Sequence, residues 1–129
     1  MATATEFRVT MENRPGTFAD VMEALGKANV NVEGLQGMPC AGQGVGQLVT
    51  NNPDGAGRAL AAAGIQYTTR QVLLLKIPNR PGEGARVARA MSDAGVNIDG
   101  VYVTFGGQVV LGADKLADAQ EVARKLGLS

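Results

Sequence analysis

Near the start of the chain Phe7, Val9 and Met11 alternate with polar Arg8 and Thr10, a period of two that predicts a strand with one buried face. The turn cluster Asn-Arg-Pro-Gly at 13 to 16 interrupts it. The apolar period then changes: Phe18, Val21, Met22, Leu25 and Ala28 recur at helical spacing. Asn29 should end this helix, because Asn enters a left-handed C-terminal cap cheaply. Strands are expected at Val32 to Met38 and Val45 to Thr50, joined through glycines as a hairpin. A helix from Asp54 to Ala63, closed by Gly64, and a strand from Ile65 to Arg70 complete the series.

The same series then starts again. Asn13 to Leu35 written above Asn79 to Val101, at an offset of 66, agrees at Asn13, Arg14, Pro15, Gly16, Ala19, Val21, Ala24, Ala28, Val30, Asn31 and Gly34. Eleven identities in 23 positions mark a duplication. The second copy predicts a strand at Val72 to Ile77 and a helix carrying Val87, Ala88, Met91 and Ala94 that stops at Gly95. Strands at Ile98 to Phe105 and Gln108 to Leu111 follow, then a helix from Asp114 to Leu126 closed by Gly127. Only Leu128 and Ser129 remain, so the second copy lacks its last strand. The expected fold is α+β, two tandem ferredoxin-like βαββαβ units spanning 1–70 and 71–129.

Composition narrows the chemistry. Twelve Lys and Arg balance twelve Asp and Glu, so no net field draws the chain to nucleic acid or to an acidic membrane surface. There is no His, which excludes His-dependent triads and His-ligated metals, and nothing calls for a cofactor. Two Tyr, three Phe and no Trp do not make the aromatic sheet face of an RNA-binding module. The longest apolar run, Val72 to Leu75, cannot span a bilayer. One cysteine, Cys40, and no charged-then-apolar leader point to the cytoplasm. Cys40 has no His anywhere and no nearby cation to favour its thiolate, so a catalytic role is not expected. Gly42, Gly44 and Gly46 look superficially like a nucleotide loop, but they lie between two expected strands and read as a hairpin or flap.

The Asn-Arg-Pro-Gly bend is the chemical candidate. Pro15 and Pro81 fix the approach to each helix, and Gly16 and Gly82 allow backbone close to a bound group. The amides of the first helical turn are donors with a partial positive charge, suited to the carboxylate of an amino acid. Asn13 and Asn79, with Asn31 and Asn97 on the following strands, could supply amide groups to such a ligand. Each could equally be a turn former bonded to its own backbone.

A strand ending in Asn-Arg-Pro-Gly, an amphipathic helix, then Ala-Asn-Val-Asn-Val at 28 to 32 or Ala-Gly-Val-Asn-Ile at 94 to 98 resembles the ACT domain, twice over nearly the whole chain. The resemblance implies a regulatory or sensor protein that binds a small molecule, usually an amino acid, and acts on a partner enzyme or regulator without catalysis of its own. It places the ligand near the strand-to-helix loop, at Asn13, Arg14, Pro15, Gly16, Thr17 and Asn31, or at Asn79, Gly82 and Asn97. Copy one is the better carboxylate site, because Glu83 replaces Thr17 and would repel an incoming carboxylate, while Gly84 replaces Phe18. The glycine-rich segment at 42 to 46 is longer than its counterpart at Gly106 and Gly107 and could fold over a ligand held by copy one.

The lost last strand would leave Val72 to Ile77 with an open edge, and an apolar edge invites pairing with another chain. The expected cover is the strand Ile65 to Arg70 or its equivalent from a second molecule, which predicts a homodimer; the alternatives are that the N-terminal segment or another partner fills the gap, or that the edge stays short. Two other functions compete: a ligand-free interaction module of the same fold, and an acylphosphatase-like enzyme. For the second, Arg14 with Asn31 is the nearest offering, and the glycine cradle that phosphate needs is absent from the first bend.

Overall fold

The computed structural model describes residues 3–128; positions 1, 2 and 129, the outer ends of the two expected units, lie outside them. Its elements run β1 (Thr3–Glu12), α1 (Thr17–Lys27), β2 (Val32–Cys40), β3 (Gln43–Thr50), α2 (Pro53–Ala62) and β4 (Tyr67–Leu75). They continue with α3 (Glu83–Asp93), β5 (Ile98–Val103), β6 (Val109–Ala113) and α4 (Leu116–Lys125). The fold class is α+β, as the periodicity indicates.

The chain forms two compact units. In the first, Thr5–Arg70, the strand order is β2-β3-β1-β4. Antiparallel β1 and β3 are in register from Glu6 opposite Val49 to Glu12 opposite Gln43. One face carries the core, where Phe7, Val9 and Leu48 meet Val21 and Leu25 of α1 and Ala56 and Leu60 of α2. α2 is held at its start by Asn52, whose Oδ1 accepts the Gly55 amide at 3.0 Å. A Cβ on Gly55 would lie 2.6 Å from the Asn52 amide nitrogen, so this cap requires glycine there. On the other face Glu6 is buried, its carboxylate bonded by Arg70 Nε at 2.8 Å and by Gln47 Nε2 at 3.3 Å.

The second unit gathers residues from Gln71 onward with Thr3 and Ala4, in the order β1-β4-β6-β5. Leu73 and Leu75 of β4 and Leu111 of β6 pack with Val87 and Met91 of α3 and Ala119 and Ala123 of α4. Both first helices stop where expected: Asn29 takes φ 58° and Gly95 takes φ 74°.

Four expectations change. The strands read separately at Ile65 to Arg70 and Val72 to Ile77 are one strand, β4, which serves both units. β4 lies between β1 and β6, so the edge expected to be open is flanked by the start of β1, and the case for a dimer built on that edge loses its premise. The hairpin expected at the glycines is present, but its strands run further than the expected ends at Met38 and Val45: β2 and β3 reach Cys40 opposite Gln43, joined by the two-residue turn Ala41-Gly42 with φ 52° and 81°. Phe18, placed by helical spacing with the core residues, is 46% exposed.

Replacing fully buried Leu25 by Ala should lower the unfolding free energy by about 2–5 kcal/mol, while Phe18→Ala should cost under about 1 kcal/mol, both read from urea denaturation midpoints.

Candidate functional site

β1 ends at Glu12 and α1 begins at Thr17, so four residues must turn an extended chain into a helix lying over the same sheet. Gly16 makes the turn at φ 95°, ψ −23°, a conformation in which a Cβ would be strained. The Arg14 amide donates to Glu12 O at 3.0 Å, and the Thr17 hydroxyl, 2.6 Å from Glu12 O and 3.0 Å from Arg14 O, ties the bend across its mouth. The first intrahelical bond runs from the Asp20 amide to Gly16 O at 2.9 Å, and no side chain caps the helix. The Phe18 and Ala19 amides are therefore left as first-turn donors. Arg14 Nε sits 2.5 Å from Glu12 Oε2, and that hydrogen bond, with the charge behind it, raises the guanidinium pKa still further. Both side chains are more than half exposed, so this is a solvated pair that a ligand can reorganise at low cost.

Beside the bend lies a cleft of about 410 Å³, within the size range of small-molecule sites. Glu12, Asn13, Arg14 and Thr17 line its polar end. Met11, Phe18, Leu35, Met38, Pro39 and Val45 supply apolar walls, and Gly37, Gly44 and Gly46 lie among them. Among the described residues the Asn13 side chain has no hydrogen-bond partner, so its amide is available to the cleft. Pro15 and Gly16 shape the bend without lining the cleft.

The second bend repeats the backbone and changes the side chains. Gly82 turns at φ 86°, the Arg80 amide reaches Pro78 O at 2.9 Å, and the Arg86 amide reaches Gly82 O at 3.0 Å. Glu83, in place of Thr17, accepts from Arg80 Nη2 at 2.9 Å and Arg86 Nε at 3.1 Å, and its side chain is only 15% exposed. These bonds, that of Arg86 foremost, hold its carboxyl below the usual carboxylate range. The start of α3 thus already carries a carboxylate with two guanidinium partners. Asn79 and Gly82 sit at this self-filled bend.

The asparagines after the helices are placed differently from the sequence expectation. The Asn31 amide donates to Asn51 Oδ1 at 2.9 Å while the Asn51 amide returns to Asn31 O at 3.1 Å. Asn97 and Asp114 repeat the clamp at 3.0 and 3.2 Å. Both clamps fix the entry to the second helix of their unit, and Asn31 does not line the cleft at Asn13. Asn97 lines a separate depression with Ser92 and Ile98. Sequence reasoning missed Glu12, whose signal was present: it is the last residue before the bend, and its counterpart is Pro78.

No group of three or more His, Cys, Asp or Glu among the described residues could hold a metal ion, and no described helix is long and apolar enough to cross a membrane. Comparison with known proteins agrees with the fold. A crystal structure of a Bacteroides thetaiotaomicron protein matches 98% of this chain and 90% of its own at 26% identity, TM-score 0.90. The ligand-free regulatory subunit of aspartate kinase from Thermus thermophilus matches 97% of this chain and 90% of its own at 17% identity, TM-score 0.68. The corresponding Thermus flavus subunit matches 95% and 91% at 17% identity, TM-score 0.61, and these two likenesses speak to fold alone. No curated protein matches the chain. The family model described as an ACT domain pair covers residues 2–128, and the chain belongs to that family.

Proposed function

We propose that this ACT domain pair is a regulatory module that binds an amino acid at the first bend and passes the signal to a partner enzyme or regulator. The observation that carries the reading is the contrast between the two bends. The first has a cleft lined by Asn13, Arg14 and Thr17, whereas the second has a carboxylate, Glu83, at its helix start held between Arg80 and Arg86. In the cleft the ligand carboxylate faces the α1 N-terminus and Arg14, and its ammonium faces Glu12, so both charges of a zwitterion meet a complement. Asn13 adds a neutral hydrogen bond that fixes orientation. Pro15, Gly16 and Thr17 hold the bend. Asn31, Asn79, Gly82 and Asn97 act in this reading as framework. The role is binding rather than catalysis, consistent with the regulatory character of ACT domains.

Thermal-shift screening of the full chain against the twenty amino acids tests the reading, since a ligand that binds only the folded state raises Tm. At least one amino acid should stabilise the chain, and a flat screen would leave the interaction module as the better reading. For a stabilising amino acid, Asn13→Ala should weaken binding roughly tenfold and Asn79→Ala less than twofold, because one good hydrogen bond contributes about 1 kcal/mol. An equal or larger loss in the Asn79 variant would overturn the assignment.

Two further outcomes follow from the same contrast. Glu83 has a lowered folded-state pKa, so its contribution to stability is complete above the unfolded carboxylate value and is lost as pH falls through the lowered one. Carbon-detected NMR titration should show Glu83 titrating below an ordinary Glu, and moving up toward it in Arg86→Ala. We further propose that the chain pairs as a homodimer along β5, an edge strand with Val101 and Val103 exposed and Phe105 just beyond. Light scattering at tens of micromolar should give twice the chain mass, falling to a monomer in Val103→Lys.

A further inference from the structure

The first cleft owes its depth to side chains that are missing. In β2 and β3 Gly37 stands opposite Gly46, two residues beyond the pair Leu35 and Leu48. In the second unit Val101 stands opposite Leu111, and two residues beyond, Val103 faces Val109. The duplicated framework therefore carries two glycines where its sister carries two valines, at matching positions of the two hairpins. Removing two branched side chains from one patch of sheet leaves a floor of backbone, and Met11 lies across it. A Cβ on Gly44 would come 3.0 Å from Met11 Cγ, and one on Gly46 would come 3.4 Å from Met11 Cε and 3.0 Å from Val9 Cγ2. Gly44 and Gly46 admit nothing larger than glycine without displacing Met11 or Val9, while at Gly37 the missing side chain leaves open volume beside them for a ligand.

What borders that volume is sorted by polarity. Every charged group lining the cleft, Glu12 and Arg14, is at the bend, and the hairpin side offers Leu35, Pro39 and glycine backbone. Met38, paired with Val45, alternates onto the opposite face of the sheet from Leu35, Gly37 and Gly46. Phe18 is 46% exposed, and a large apolar side chain left in water beside a cleft marks a surface that gains by being covered. Met11 is unbranched and polarisable, able to repack around an apolar guest. An amino acid with a charged side chain would set that charge against Leu35 and Phe18 with no partner, which costs more than binding returns.

From this sorting we infer that the first cleft selects α-amino acids with a bulky apolar side chain, seated over the Gly37 and Gly46 floor between Phe18 and Leu35. The inference rests on the proposed amino-acid site and names its ligand class. The hairpin residues then determine specificity, while the bend recognises the part common to all amino acids.

Isothermal titration of the full chain with leucine, methionine and phenylalanine, and separately with lysine and aspartate, tests it. The apolar set should bind at least tenfold more tightly than the charged set. Phe18→Glu, at a half-exposed position where the fold is little affected, should weaken the preferred apolar amino acid at least fivefold with the Tm of the free protein little changed. Gly46→Val should abolish its binding, and the Phe18 variant keeps the test decisive if Gly46→Val does not fold. Lysine or aspartate binding as tightly as the apolar set, or an unchanged affinity in Phe18→Glu, would overturn the specificity while leaving the amino-acid site standing. A chain that binds none of the twenty would overturn the site itself and the inference with it.

Discussion

A strand that ends beneath the helix it leads into must reverse its path in four residues, and only a left-handed backbone step just before the helix allows that here. Gly16 and Gly82 take that step at φ 95° and 86°. The rest of each unit follows from it. The helix is set over the sheet with Val21 and Leu25, or Val87 and Met91, facing inward. Its first amides are aimed at the space above the end of the first strand, and the residues on either side of the bend converge there. Any side chain at these two positions would strain the step on which the layer arrangement depends.

Because both copies satisfy that constraint, they can diverge in everything around it. Thr17 closes the first bend with a neutral hydroxyl on backbone carbonyls, while Glu83 closes the second with a carboxylate between two arginines. The backbone hydrogen bonds of the two bends match closely. Duplication therefore yielded two bends with the same uncapped first-turn amides and different side chains around them.

Much of this was readable in the sequence, and the reasons differ from element to element. The repeat, the helical stripes and the left-handed stops at Asn29 and Gly95 are local signals, each carried by residue type and period alone. The continuous β4 was missed although its signal was there: no Gly, Pro, Asn or Asp lies between Ile65 and Ile77, so nothing local ends one strand and starts another. Repeat arithmetic ended one strand at Arg70 and began another at Val72, where the backbone runs on as β4. β2 runs past its expected end at Met38 and through Pro39, because it is an edge strand, where proline is tolerated. The clamps at Asn31 and Asn97 depend on partners 20 and 17 residues away, a pairing no single-sequence pattern contains. The cleft walls likewise come from three strands and a helix, so only the bend itself could be named beforehand.

A recess made by leaving atoms out has a particular mutational character. Gly37 takes part in strand pairing through its backbone, and a Cβ there would meet only Val45 O at 3.7 Å, so the ladder does not change when a side chain is added. The shape of the recess and the integrity of the ladder are therefore separable. Descendants of such a duplication can retune, close or reopen the hollow by single replacements on the hairpin while the scaffold stays as it is, and this leaves molecular recognition free to drift faster than architecture.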